Sequence, residues 1–283
     1  IGCKSIDASE MLETAKIIFQ LRTLALDKKW TEIYDFINTR VYESKFQPHA
    51  FAVEEIDLAQ SEAVDVSVTY HLTNCIKRGK LEFKNGVFNL NRVATGMLES
   101  AIKYASDSEC TSERVSSLQE HATFTLNLRK NIINRNFALL QSELENIQDN
   151  IGEECIIYDE VGSAKAYLDN FTFKSKVEKE LSETEIIGAV GDIILPKEYQ
   201  DLAQTLSFGK NIFDKLTNSN KSLLEISTII HDIRFAAISN QWEDVEVLVK
   251  QQIMNNSLQN YKQELELLAG EAKNRKVVIR LSD

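Results

Sequence analysis

Three segments of the chain align without gaps: LRTLALDKKWTEIYDFI (Leu21 to Ile37), LRKNIINRNFALLQSEL (Leu128 to Leu144) and IRFAAISNQWEDVEVLV (Ile233 to Val249). Their offsets are 107 and 105 residues. Each begins with an aliphatic–Arg pair, passes a polar breaker, and continues with an aromatic followed by aliphatics three and seven positions on. A fixed period of this kind means that one supersecondary unit is built several times and that neighbouring units share a core. Upstream, CKSIDASEMLETAKIIFQ and CTSERVSSLQEHATFTLN match at 107 residues, pairing Cys3 with Cys110 and Ser5 with Ser112. A second block repeats at 105 residues: Leu72, Ile76, Leu81, Gly86, Phe88 and Leu90 fall on Val177, Leu181, Ile186, Gly191, Ile193 and Leu195. A third copy stops inside its long helix, since EAKNRKVVIRL (Glu271 to Leu281) resembles EAVDVSVTYHL (Glu62 to Leu72). The expected units are 1–109, 110–217 and a partial 218–283. The first residue is Ile1 rather than an initiator Met, so the chain is expected to be a piece of something longer.

Within a unit the periods are readable. Asp7 and Glu10 have capping-box spacing, and Met11, Leu12, Ala15, Ile18, Phe19, Arg22 and Ala25 keep helical spacing. The breaker Asp27-Lys28-Lys29 ends or kinks that helix, and Trp30, Ile33, Tyr34, Ile37 and Val41 open a second one. Pro48 disfavours helix at Gln47 and closes it. A long helix is expected from about Phe51 to Arg78. The period then changes. LEFKNGVFNL alternates about Asn85-Gly86, the dipeptide of a two-residue hairpin turn with positive φ at both positions. Its counterpart EIIGAVGDIIL carries Gly188 and Gly191. A hairpin alone is marginal in water, so each must pack on helices or pair with its neighbour. A short fourth helix follows, opened in the second unit by Pro196 at a first-turn position. With only 10 glycines and 2 prolines, the chain lacks the turns of a β-sandwich and the Gly-rich loops of a doubly wound sheet. The expected fold is mainly α: an elongated tandem array of units of about 105 residues, each about four helices plus a small β-hairpin. Tetratricopeptide and ankyrin arrays, with periods near 34 and 33, are excluded.

Charge and motif content narrow the function classes. Lys plus Arg is 32 against Asp plus Glu at 43, a net charge of −11 with no basic block, so nucleic acid and anionic membrane surfaces are not expected partners. Cys3, Cys75, Cys110 and Cys155 lie far apart without a CxxC pair, as reduced thiols of a cytoplasmic protein do. No GxGxxG, P-loop, HExxH, GxSxG or EF-hand pattern occurs. The histidines His49, His71, His121 and His231 do not recur at matching positions, and no carboxylate or cysteine is expected to orient them. Neither catalysis, nor a metal, nor a cofactor is expected.

The aromatic of the second helix is the most suggestive pattern. Trp30, Ile33 and Ile37, then Phe137, Leu140 and Leu144, then Trp242, Val245 and Val249, stand at positions 1, 4 and 8 of a helix. This spacing resembles the target motifs of centrin and other calmodulin-like proteins, in which an aromatic anchor enters a Met-rich groove. The resemblance implies an EF-hand partner on each unit. The same residues also serve as a core wedge between two helices, which the absence of a marked basic face over 27–40 favours. The leading expectation is a non-enzymatic scaffold segment of a larger cytoplasmic, narrower still a cytoskeletal, protein. Its partners would be other proteins or further copies of the same repeat.

Overall fold

The breakers determine where helices stop. In the computed structural model, Lys28, Arg135 and Asn240 adopt left-handed backbone, with φ of 56°, 55° and 58°. At each, the N–H bonds a carbonyl three residues back, and the next N–H reaches one five back: Lys29 to Leu24, Asn136 to Asn131, Gln241 to Ala236. This is the Schellman arrangement, which satisfies the last carbonyls of a helix and turns the chain sharply. The three breakers therefore end helices rather than kink them.

The structure describes residues 6–44, 46–108, 110, 112–147, 151–196, 199–252 and 254–282, excluding the side chains of 6–7 and 279–282. Cys3 and Ser5 lie outside them. The described residues are mainly helical, 78% helix in 11 helices, with two small antiparallel strand pairs. The helices are α1 (Ile6–Leu26), α2 (Trp30–Ile37), α3 (Ala50–Lys77), α4 (Arg92–Asp107), α5 (Glu113–Ile133), α6 (Phe137–Ile147), α7 (Tyr158–Glu183), α8 (Gln200–Asn211), α9 (Asn218–Ile238), α10 (Trp242–Gln252) and α11 (Lys262–Ser282). A π-helical turn (Asn38–Glu43) extends α2, and a 3₁₀ segment (Asn256–Tyr261) precedes α11. The strands are β1 (Glu82–Lys84), β2 (Val87–Asn89), β3 (Ile187–Ala189) and β4 (Asp192–Ile194).

Two compact bodies form, one of residues 1–81 and 90–161, the other of 82–89 and 162–283. They cut across the expected divisions at 109 and 217. The first closes around α3, with α1 and α2 before it and α4 and α5 after it, and the second around α7 with α8 to α11. In the first body, Ile17, Leu21, Ile33, Ile37, Ala52 and Ile56 form one apolar cluster of α1, α2 and α3. Val68, Leu72, Ile76, Leu98, Val115 and Ala122 form another, of α3, α4 and α5. In the second body, Phe173, Val177, Leu181, Leu202, Leu206, Leu224, Ile233, Val245, Val249 and Leu268 join α7 to α8, α9, α10 and α11.

Both hairpins are present, with three-residue strands. β1 pairs with β2 through Phe83↔Phe88, and Asn85 and Gly86 form the two-residue loop at φ 54° and 75°. Asn218 fastens that loop, its N–H donating to the Gly86 carbonyl at 3.1 Å and its Nδ2 to that of Asn85 at 3.1 Å. Phe88 rests edge-on against Tyr167. Helices thus supply the support that an isolated ribbon lacks.

Four local expectations are corrected. Gly188 is not a turn residue: it lies in β3 opposite Ile193, and the turn of this hairpin is Val190-Gly191. The backbone at Gly188 has φ 120°, and a Cβ there would stand 2.4 Å from the Asp192 carbonyl oxygen, so glycine serves a close approach within the ribbon. Pro196 does not open a helix, because α8 starts at Gln200 and Pro196 belongs to the strand-to-helix connection. The fourth helix is not short, since α4 spans 16 residues. Asp7 stands inside α1, which begins at Ile6, so it is not the N-cap.

Candidate functional site

The arginines of the aliphatic–Arg pairs sit on the first helix of each aligned segment, one position after a core aliphatic. Arg129 of α5 and Arg234 of α9 are fully buried. A buried guanidinium carries five N–H donors that must all find acceptors. Arg129 places a bidentate fork on Glu160, Nε to Oε1 at 2.7 Å and Nη2 to Oε2 at 2.8 Å. Two of its remaining donors meet the end of α3, the Ile76 carbonyl at 2.7 Å and the Arg78 carbonyl at 3.3 Å. Glu160 in turn accepts the Leu81 N–H at 2.9 Å, where the chain turns into β1. Carbonyls of a last helical turn have no partner within their helix and carry the negative end of its dipole, so a cation is the favoured cap.

The arrangement recurs about α9. Arg234 forks onto Glu264 at 2.7 Å through both Nε and Nη2, and Nη1 donates to the Leu181 carbonyl at 2.7 Å and the Thr184 hydroxyl at 2.8 Å. Glu264 accepts the Ile186 N–H at 3.0 Å. The aligned residues of the first segment, Arg22 and Glu55, form the same fork at 2.7 and 2.8 Å, but with side chains 65% and 37% exposed. Its hydrogen bond to Arg22 holds the Glu55 carboxyl below the usual carboxylate range.

A second junction accompanies the first. Asp65 of α3 accepts from the hydroxyl of Ser112, which caps α5 through the Val115 N–H, and from the Cys110 thiol. Asn170 of α7, at the aligned position, accepts the N–H of Thr217, the cap of α9, at 2.8 Å, and also binds Asn220. Asn170 opens the glycosylation sequon Asn170-Phe171-Thr172, and its burial closes that pattern to modification.

The aromatic 1-4-8 residues are divided. Ile33, Ile37, Leu140, Val245 and Val249 are fully buried, Leu144 and Trp242 nearly so, while Trp30 and Phe137 are half-buried. Arg275 lies over the Trp242 ring, 4.6 Å from its centroid. Glu271, which burial alone would push upward, is held below the usual carboxylate range by Arg275 and the Gly191 N–H. That N–H donates to Glu271 at 2.6 Å and ties the turn of β3 and β4 to α11.

Glu55, Glu160 and Glu264 were not singled out by sequence. Their signal was present: they stand 105 and 104 residues apart, as the arginines stand 107 and 105 apart. Two histidines do have neighbours, contrary to expectation. Cys155 Sγ lies 3.7 Å from His121 Nε2, and Asp232 Oδ1 3.0 Å from His231 Nδ1. The first pair is separated by 34 residues and meets only through packing. Among the described residues, no group of three or more His, Cys, Asp or Glu could hold a metal ion, and no helix is long and apolar enough to cross a membrane. An open groove of about 720 Å³ runs along α5 and α6, lined by polar residues such as Gln119, Asn127 and Glu143 together with Phe124. Compared with family models, curated proteins and solved structures, the chain matches none.

Proposed function

We propose that the chain is a non-catalytic structural segment in which tandem helical units of about 105 residues provide spacing and protein-binding surface within a larger intracellular protein. The observation that carries this reading is the recurrence of one buried junction, Arg129–Glu160 on the end of α3 and Arg234–Glu264 on the end of α7. A buried ion pair of this kind contributes little net stability over apolar packing, and its best-attested use is to specify register. Here the register it would specify is that of one unit on the next. The alternative, an EF-hand partner on α2, α6 and α10, would have to draw Ile33, Leu140 and Val245 out of cores in which they are fully buried.

Excision of a whole unit tests the reading. Deletion of residues 110–214 joins Glu109 to Lys215, the position aligned with Cys110, and presents the end of α3 to Arg234 and Glu264. The shortened chain is expected to keep its helix content per residue and to unfold cooperatively. A control deletion of residues 110–199 breaks the register and is expected to abolish cooperative unfolding. If both deletions behave alike, the units are not interchangeable and the proposal fails.

A further inference from the structure

The face of α1 around Arg22 is exposed where its aligned faces are covered. Ala15, Phe19, Arg22 and Leu26 follow one another at helical spacing and are all exposed, Phe19 by 75% and Leu26 by 84%. At the aligned positions of α5, Ala122, Leu126 and Arg129 are buried and Ile133 is half-buried. On α9, Ser227 and Arg234 are buried, with His231 and Ile238 half-buried. On α3, Phe51 and Leu58 flank Glu55 and are also exposed. This is an apolar face with a preset Arg–Glu fork at its centre.

We infer that this face is a docking site for a further unit of the same kind, which seats the last turn of its long helix and the N–H entering its hairpin on Arg22 and Glu55. The inference rests on the tandem reading. The occupant follows from the two sockets that are filled. Arg129 and Arg234 each use the donors left over from the fork on carbonyls of a helix end, Ile76 and Leu181, and the glutamate accepts an N–H five residues further on, Leu81 and Ile186. The fork of Arg22 and Glu55 has the same two bonds made and the same geometry. The chain's own helix ends at Ile76 and Leu181 are already held by Arg129 and Arg234. Both filled sockets take the helix end that precedes them in the chain, α3 before Arg129 and α7 before Arg234, so the occupant of the third is an additional unit ahead of α1 in the same polypeptide.

The test is a chain in which residues 1–107 are duplicated in frame ahead of Ile1, so that the added copy of Ile76–Leu81 meets the original Arg22 and Glu55. Amide exchange at the added Leu81 is the readout. Arg22→Ala in the original copy is expected to speed that exchange about a hundredfold, as loss of a buried partner does, whereas in the unduplicated chain Arg22→Ala changes protection of α1 by less than about fivefold. Phe19→Ser is expected to behave in parallel, harmless without the added unit and disruptive with it. The inference is overturned if Arg22→Ala is equally mild in both chains, if the added unit stays unfolded, or if the unduplicated chain sediments as a dimer that Phe19→Ser dissolves. Arg129→Ala in the duplicated chain separates the two readings: if it disrupts its own junction while Arg22→Ala does nothing, the docking inference falls and the tandem reading stands.

Discussion

Removing Arg234 should separate a buried ion pair from an exposed one within a single molecule. In Arg234→Ala, Glu264, only 3% exposed in the intact protein, keeps only the Ile186 N–H, while the Leu181 carbonyl and the Thr184 hydroxyl lose their donor. A buried charge left without its partner costs about 3–5 kcal/mol. Arg22→Ala breaks a fork of the same geometry that water already reaches, at a cost of about 0.2–1 kcal/mol. The difference is about 3 kcal/mol, or roughly 6–12 °C in the melting temperature of a cooperative domain of this size. Trp242 reports on the second body and Trp30 on the first, so urea unfolding followed by fluorescence reads Arg234→Ala in a Trp30→Phe background and Arg22→Ala in a Trp242→Phe background. The denaturant slope must be unchanged for the comparison to stand. The double change Arg234→Met with Glu264→Leu removes both charges and should recover about 2 kcal/mol of the loss. It should not recover all of it, because the main-chain groups of Leu181 and Ile186 stay unpaired. Equal losses for Arg234→Ala and Arg22→Ala, within about 1 kcal/mol, would refute the assignment of a structural role to the buried junction.

Three further outcomes follow from local geometry. Lys28→Gly and Arg135→Gly should each raise stability by about 0.5 kcal/mol in thermal melts, since relief of a left-handed non-glycine residue exceeds the added freedom of the unfolded chain. Gly188→Ala should cost about 2 kcal/mol or more, because the added Cβ meets a carbonyl oxygen, whereas Gly162→Ala in α7, with open space around it, should gain about 1 kcal/mol. Burial raises the carboxyl of Glu180, and one of its oxygens is buried without a partner. A group with a raised folded value favours the fold when protonated and loses that contribution as pH rises through it. Glu180→Gln should therefore raise the melting temperature near neutral pH, and the gain should disappear below the ordinary value of 4.5. A gain that persists in acid would assign the effect to packing.

Local signals proved the most legible in the sequence. Asn85-Gly86 announced its turn because only a few residue types accept positive φ, and the breakers at Lys28, Arg135 and Asn240 announced theirs by interrupting an apolar period. Gly188 was misplaced for the same reason in reverse: a glycine required by a close approach inside a strand looks, in one dimension, like a glycine required by a turn. The partners of the arginines were hidden by distance. Glu160 lies 31 residues beyond Arg129 on a different helix, and a lone glutamate there reads as one more solvated charge. Only its coincidence with Glu55 and Glu264 carries information, and that coincidence gains meaning once a guanidinium is known to be buried beside it. Cys155 and His121 share no period, so packing alone brings them together.

Beyond their glutamates, what Arg129 and Arg234 grasp is main chain apart from the Thr184 hydroxyl: peptide oxygens at a helix end, with a peptide N–H bound by the matching glutamate. Peptide groups are the same in every residue but proline. Half of such an interface is thus immune to substitution, and only the Arg–Glu half has to be inherited with care. Two neighbours of this kind need not coevolve side chain by side chain, and a gene encoding them could lengthen or shorten by whole periods without inventing a new surface each time.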